Sequence, residues 1–214
     1  MRKLFTLLLL TFTTLLSAQE NEDLFKIEKG TWVVEGSFSL FTENIESTSE
    51  SNSTNDNVNF SISPRIGYTL SDNLVLGLGL GYSYLKFETS REGNLINSVR
   101  ETNSISFTPY LKKFFPLSEN FALNLQAETS YTRGNSETTN SSFQNESDID
   151  SFFIGLRPGV NYSISDSFLL QASFGSLGYT NSRTETNDVN VQKSNAFRFN
   201  LGTSSLFFGV LILL

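Results

Sequence analysis

The fold of this chain is decided by residues 74–82, LVLGLGLGY. Every second residue from Leu74 to Tyr82 is a leucine or a tyrosine, and the residues between them are Val75 and three glycines. A period of two is that of a β-strand, whose side chains point to opposite faces in turn. One face is uniformly apolar and the other is very small. This pattern predicts a strand with lipid on its outside and a narrow barrel lumen on its inside.

Seven further stretches share the alternation, so the sequence predicts an all-β protein with eight strands. The eight strands are expected at Thr31–Glu43, Asn57–Leu70, Leu74–Glu88, Thr102–Phe115, Phe121–Arg133, Asp150–Ile164, Phe168–Thr180 and Asn195–Leu214. Short turns alternate with long Asn-, Ser-, Thr- and Glu-rich connections at 44–56, 89–101, 134–149 and 181–194. This alternation is typical of outer-membrane barrels, in which short turns face the periplasm and long loops face the outside.

The parity of the side chains assigns a face to each residue. In the second strand, Val58 to Tyr68 place apolar side chains on the lipid face, and Asn59 to Gly67 place small and polar ones inside. A polar interior and an apolar exterior invert the pattern of a soluble barrel. Tyr179 has the wrong parity relative to Phe168, so a β-bulge is expected near residues 175–178.

The N-terminus predicts secretion. Arg2 and Lys3 precede the apolar run Leu4–Leu16, and Ser17-Ala18 offers small residues for cleavage. We therefore expect a signal peptide at 1–18, a periplasmic N-terminal segment at 19–30 and a barrel at 31–214, located in the outer membrane of a Gram-negative bacterium.

The composition excludes several function classes. The chain has no Cys and no His, so it has no disulfide, no thiol chemistry and no histidine base. A serine hydrolase needs such a base, so no enzyme activity, cofactor or metal site is expected. The net charge of −7 has the wrong sign for binding nucleic acid.

The alternation places five charged residues in the lumen: Glu35, Arg65, Lys112, Glu128 and Arg157. Counted from their turns, Glu128 and Arg157 lie at similar depth on neighbouring strands, which predicts an ion pair within a lumen charge network. Two interpretations stay open. The charges fill an eight-stranded interior that holds side chains and little else, or they form a gate in a narrow ion path.

An internal repeat carries a resemblance. Residues 64–73, PRIGYTLSDN, match 158–167, PGVNYSISDS, in spacing and character, and a hydrophobic strand ends the chain. The sequence resembles the small OmpA/OmpX-type outer-membrane β-barrel family, which implies an eight-stranded antiparallel up-and-down transmembrane β-barrel. The resemblance also implies that the barrel-assembly machinery reads the C-terminal strand. That signal would consist of Phe208, Val210, Ile212 and Leu214, with a leucine where such proteins often end in an aromatic residue.

The expected role is structural or surface-interacting, exercised by a monomer that contacts outer-membrane lipid and presents four long polar extracellular loops. A partner would be an extracellular protein or surface. The connections would be solvated loops, or strands that continue above the membrane as protruding hairpins and offer an edge to a partner. The apolar residues available for that contact are Leu95, Ile96 and Val99. The alternative is a narrow pore for ions or small solutes with a charge-lined lumen.

Overall fold

The computed structural model of the protein describes residues 24–48, 53–91, 98–140, 143–187, 189–200 and 206–214. The expected signal peptide lies outside these residues. So do Leu95 and Ile96, two of the three apolar residues expected to contact a partner. No helix among the described residues is long and apolar enough to cross a membrane.

Ten strand segments make up the described structure. They are β1 (Trp32–Ser47), β2 (Ser53–Ser71), β3 (Leu74–Arg91), β4 (Ser98–Pro116), β5 (Phe121–Asn140), β6 (Gln144–Ser165), β7 (Phe168–Phe174), β8 (Ser176–Thr186), β9 (Asn190–Asn200) and β10 (Leu206–Leu213).

The segments form one closed antiparallel barrel of eight strands. Segments β7 and β8 both pair with β6 and make one strand of the wall, and β10 and β9, which pair with β7 and β8, make another. Strands β1 to β6 pair with their sequence neighbours, and β6 then pairs with both β7 and β8. The ring closes where β10 pairs with β1 along Val33–Gly36. Backbone hydrogen bonds in both directions between Trp32 and Leu214 complete the seam. The all-β, eight-stranded, antiparallel prediction is confirmed.

The predicted bulge is confirmed between β7 and β8. On β6, Gly159 pairs with Ser173 and Leu156 pairs with Leu177, so β7 and β8 carry one more residue than the strand opposite. Gly175 has a φ of 78°, a left-handed conformation that glycine adopts without strain. The extra residue reverses the parity, so Phe168 and Tyr179 both face outward and are about 40% exposed.

The apolar faces point away from the barrel, as the alternation predicts. Leu76, Leu78 and Leu80 of β3 are half-exposed, and the residues that alternate with them, Val75, Gly77 and Gly79, lie inside. The same holds for Ile62 and Ile66 of β2. This surface is the lipid-facing belt of the barrel, because so many exposed apolar side chains are stable only in contact with hydrocarbon.

The prediction of four long loops is wrong in extent. At the end of the barrel where the long loops were expected, the strands begin or end three to seven residues beyond the expected bounds. Strand β5, for example, ends at Asn140 instead of Arg133. Above the lipid both faces of each strand meet water. The alternation of apolar and polar residues therefore disappears from the sequence, although the backbone hydrogen bonds between the strands continue. Polar pairs such as Thr102–Ser136, whose hydroxyls are 2.9 Å apart, bridge the strands there. We call this end the hairpin end and the opposite one the turn end.

Residues 24–30 lie across the turn end of the barrel. Phe25 and Ile27 are buried, and the Phe25 ring lies 5.8 Å from that of Phe114. The backbone N–H of Ile27 donates to Oδ1 of Asn73, and that of Asn73 donates to the carbonyl of Ile27. In addition, the N–H of Lys29 donates to Asp72. This segment extends the apolar core and covers the opening between the short turns.

Candidate functional site: the lumen charge network and the cavity above it

A buried ion pair crosses the lumen near the turn end. Lys112 of β4 contacts the carboxylate of Glu35 on β1, and its Nζ also donates to Gln171 of β7 at 2.8 Å. Lys112 is 1% exposed and Glu35 is 6% exposed. Three strands that do not pair with one another are thereby joined through the interior, and β4 lies far from the other two in the barrel wall. Charges removed from water to this degree are stable only when paired.

A second cluster lies around Glu128 of β5. The carboxylate accepts hydrogen bonds from Nε of Arg157 on β6 and from the amide of Gln126. Nη1 of Arg65 on β2 lies 3.8 Å from Oε2 of Glu128, the same oxygen that accepts from Gln126. The Glu128 side chain is almost fully buried, whereas the side chains of Arg65 and Arg157 are 25% and 33% exposed. The two guanidinium groups therefore cover the carboxylate on its hairpin side.

Tyr110 of β4 connects the two clusters. Its ring lies 5.6 Å from the Arg65 guanidinium carbon and 5.4 Å from Nζ of Lys112, within range of cation–π attraction. The ring rests against Gly77 and Gly67, where a Cβ atom would collide with the Tyr110 or Val75 side chain. Gly67 of β2 and Gly77 of β3 thus make room for an aromatic side chain that fills the lumen.

The lumen below these clusters is filled by side chains. Asn124 donates to Asn161 at 2.5 Å, and both are buried. Beneath them lie the buried apolar side chains, with the 24–30 segment at the bottom: Phe25, Ile27, Val33, Val75, Phe114, Ala122, Leu169 and Leu211. The turn-end half of the barrel is therefore a packed core.

A polar cavity of about 270 Å³ lies above the charge network, toward the hairpin end. Its charged lining consists of Arg65, Glu128 and Arg157. Its walls carry six hydroxyl side chains, from Ser63, Ser106, Thr108, Ser130, Thr132 and Ser151. A smaller cavity of about 150 Å³ shares Ser63, Ser106 and Thr132 with it and adds the hydroxyls of Ser61, Ser83 and Ser104.

The structure brings the five charged residues expected in the lumen into one region, with Glu35 and Lys112 below and Arg65, Glu128 and Arg157 above. Sequence reasoning did not predict the contacts of Tyr110, Gln126 and Gln171, which join or complete these clusters. Their inward parity was readable, and the glycines opposite Tyr110 were a second signal. Which charged side chains these three residues contact across the lumen could not be read from the sequence.

The residues expected to form the C-terminal assembly signal lie on the outer face of β10 and just after it. Phe208 and Leu214 are largely exposed, and Ile212 is 37% exposed; Val210 is half-buried. Among the described residues, no group of three or more acidic side chains could hold a metal ion.

The chain is similar to solved outer-membrane proteins. It matches OprG from Pseudomonas aeruginosa with 12% identity and a TM-score of 0.50, covering 87% of this chain and 97% of OprG. It also matches Neisserial surface protein A (NspA; 18% identity, TM-score 0.41, 88% and 98% covered) and a major outer membrane protein from Thermus thermophilus (10%, 0.46, 87% and 100%). No protein-family description and no curated protein matches the sequence. The closed barrel described above and the match to OprG together show that the chain has the fold of an integral outer-membrane barrel.

Proposed function

We propose that the protein is an integral outer-membrane barrel whose role is surface interaction, exercised by its protruding hairpins. The observation that carries the proposal is the length of the hairpin-end strands. Strands β5 and β6 have 20 and 22 residues and stay paired as far as Thr139 and Gln144. At roughly 3.3 Å per residue and a tilt of about 40°, crossing a 25 Å apolar band takes about ten residues. About half of each strand therefore extends beyond the lipid.

Strand β1 adds an edge that a partner could use. Its residues Ser37–Ser47 pair with β2 on one side, and no strand among the described residues pairs with the other side above Gly36. Because about ten residues of β1 are needed to cross the lipid, only the last few residues before Ser47 lie beyond it, and that part of the edge is the one open to an extracellular partner. An exposed edge offers unpaired N–H and C=O groups, which is the basis of recognition by strand addition. The expected partner is an extracellular protein. The barrel itself would be a monomer in contact with outer-membrane lipid, folded by the barrel-assembly machinery through Phe208, Val210, Ile212 and Leu214.

The packed turn-end half favours this role over conduction. An ion entering from the hairpin side would meet the Arg65, Glu128 and Arg157 cluster, then the buried Lys112–Glu35 pair, then the apolar core. The narrow pore remains the second candidate because the cavity reaches the charge network from one side. Conduction would require the Lys112–Glu35 pair to separate and residues 24–30 to leave the turn end.

Single-channel recording in a planar bilayer separates the two candidates, with heat-modifiable gel migration as proof of folding. The surface role predicts a folded barrel without openings. Steady openings would contradict it and favour the pore, and Glu35→Gln would then be expected to increase the conductance.

The hairpins can be tested on cells. Replacing residues 135–148 by an Asn-Gly turn shortens the β5–β6 hairpin and leaves the lipid-facing residues in place. Cells displaying this variant should adhere less to protein-coated surfaces than cells displaying the full chain. The control is Arg183→Gln, a change of one exposed side chain on the neighbouring β8–β9 hairpin. Equal adhesion by all three strains would overturn the surface role.

A further inference from the structure

The cavity above the charge network has an excess of positive charge. Its lining holds two guanidinium groups, from Arg65 and Arg157, and one carboxylate, from Glu128. The nearest charges below, Lys112 and Glu35, neutralise each other. One positive charge on the cavity floor is therefore uncompensated by protein. A partly buried cation without a counterion is costly, because the surroundings screen it less than bulk water does.

The arginines have hydrogen-bond donors to spare. Arg157 donates to Glu128 through Nε, and its two Nη groups have no hydrogen-bond partner among the described residues. Arg65 approaches Glu128 only through Nη1, at 3.8 Å, and otherwise lies against the Tyr110 ring. The planar guanidinium fork matches the geometry of carboxylate, sulfate and phosphate groups.

The walls supply neutral donors at the same site. Six hydroxyl side chains surround the space above the two arginines, and some, such as Thr108 and Ser130 at 2.8 Å, already bond to each other. A hydroxyl can donate to an anion as readily as it accepts from a cation. The volume of about 270 Å³ lies just under the range of roughly 300–1,000 Å³ that is common for small-molecule sites.

We propose that this cavity binds a small oxyanion, such as sulfate, phosphate or the acidic group of a small solute, between the guanidinium groups of Arg65 and Arg157. Glu128 holds the two arginines in place and also competes with the ligand for them. The inference concerns the lumen and is independent of any role of the hairpins.

Isothermal titration of the refolded barrel with sodium sulfate tests the site, at constant ionic strength and with chloride as the reference anion. Saturable sulfate binding is expected. Arg157→Gln and Arg65→Gln should each weaken it by about tenfold or more, since each removes a charge next to the ligand. Glu128→Gln should strengthen it by about tenfold, because it removes the competing charge and keeps a polar side chain of the same size.

The matched control is Arg183→Gln, which removes a guanidinium paired with Glu185 away from the cavity and should leave binding unchanged. Heat-modifiable migration shows whether each variant is folded. If a glutamine variant fails to fold, the corresponding lysine variant keeps the charge next to Glu128 and should still bind more weakly, because lysine lacks the fork. Absence of saturable binding in both the parent barrel and Glu128→Gln, or equal binding in all arginine variants, would overturn the proposal. Neither result would bear on the surface role.

Discussion

Replacing Lys112 by methionine should destabilise the barrel more than any other single change in the lumen. Methionine preserves most of the side-chain volume and removes the charge, so the 6% exposed Glu35 carboxylate loses its cation. Breaking a buried ion pair in this way costs about 3–5 kcal/mol. Gln171 also loses the donor at 2.8 Å, which adds about 1 kcal/mol.

Urea titration of the barrel refolded in lipid vesicles measures the change in the free energy of unfolding. The single tryptophan, Trp32, lies half-exposed at the turn end and reports the transition by fluorescence. Tyr110→Phe is the comparison variant, because it removes a buried hydroxyl next to the Glu35 carboxylate while both charges of the pair stay in place. It should cost no more than about 1.5 kcal/mol, the net contribution of one hydrogen bond.

A double variant tests whether the cost comes from the unpaired charge. Lys112→Met combined with Glu35→Leu removes both charges and should recover most of the loss, since replacing a whole buried pair by apolar residues is often neutral to within about 1 kcal/mol. A cost for Lys112→Met below about 1 kcal/mol, or a double variant as unstable as the sum of the singles, would refute the reasoning.

Three further changes probe the packing and the turn end. Gly77→Ala should lower the free energy of unfolding by about 1–3 kcal/mol, because it forces a methyl group into the Tyr110 ring. In a barrel that already carries Tyr110→Ser, the same urea titration should show no added cost of Gly77→Ala. Phe25→Ala should cost about 3 kcal/mol and increase proteolysis of residues 24–30, whereas unchanged proteolysis would show that this ring does not anchor the segment. The N–H of Lys29, which donates to Asp72, holds the pKa of that carboxyl below its usual 3.8. The contribution of Asp72 to the stability of the turn end is therefore fully present above pH 3.8 and is lost as the pH falls through the lowered pKa. Hydrogen exchange at Lys29 should accelerate over that range, and in Asp72→Asn this pH dependence should be absent.

The sequence by itself determined the eight strands, the face of each residue in the lipid-crossing part of a strand, and the bulge near Gly175. These features are local. A strand between lipid and a polar lumen must alternate with a period of two, and a residue of the wrong parity such as Tyr179 must be preceded by an extra residue. The same alternation placed Glu35, Arg65, Lys112, Glu128 and Arg157 inside.

Only the tertiary structure decided which of these charges meet and how far the strands extend. Glu35 and Lys112 are 77 residues apart, and their contact depends on the curvature of the closed barrel, which brings distant strands within side-chain reach. Beyond the lipid both faces of a strand are solvated, so no alternation marked the hairpins that end near Asn140 and Gln144. Residues 24–30 carried no periodic signal either, because they bind the turn end through Asn73 and Asp72 instead of joining the sheet.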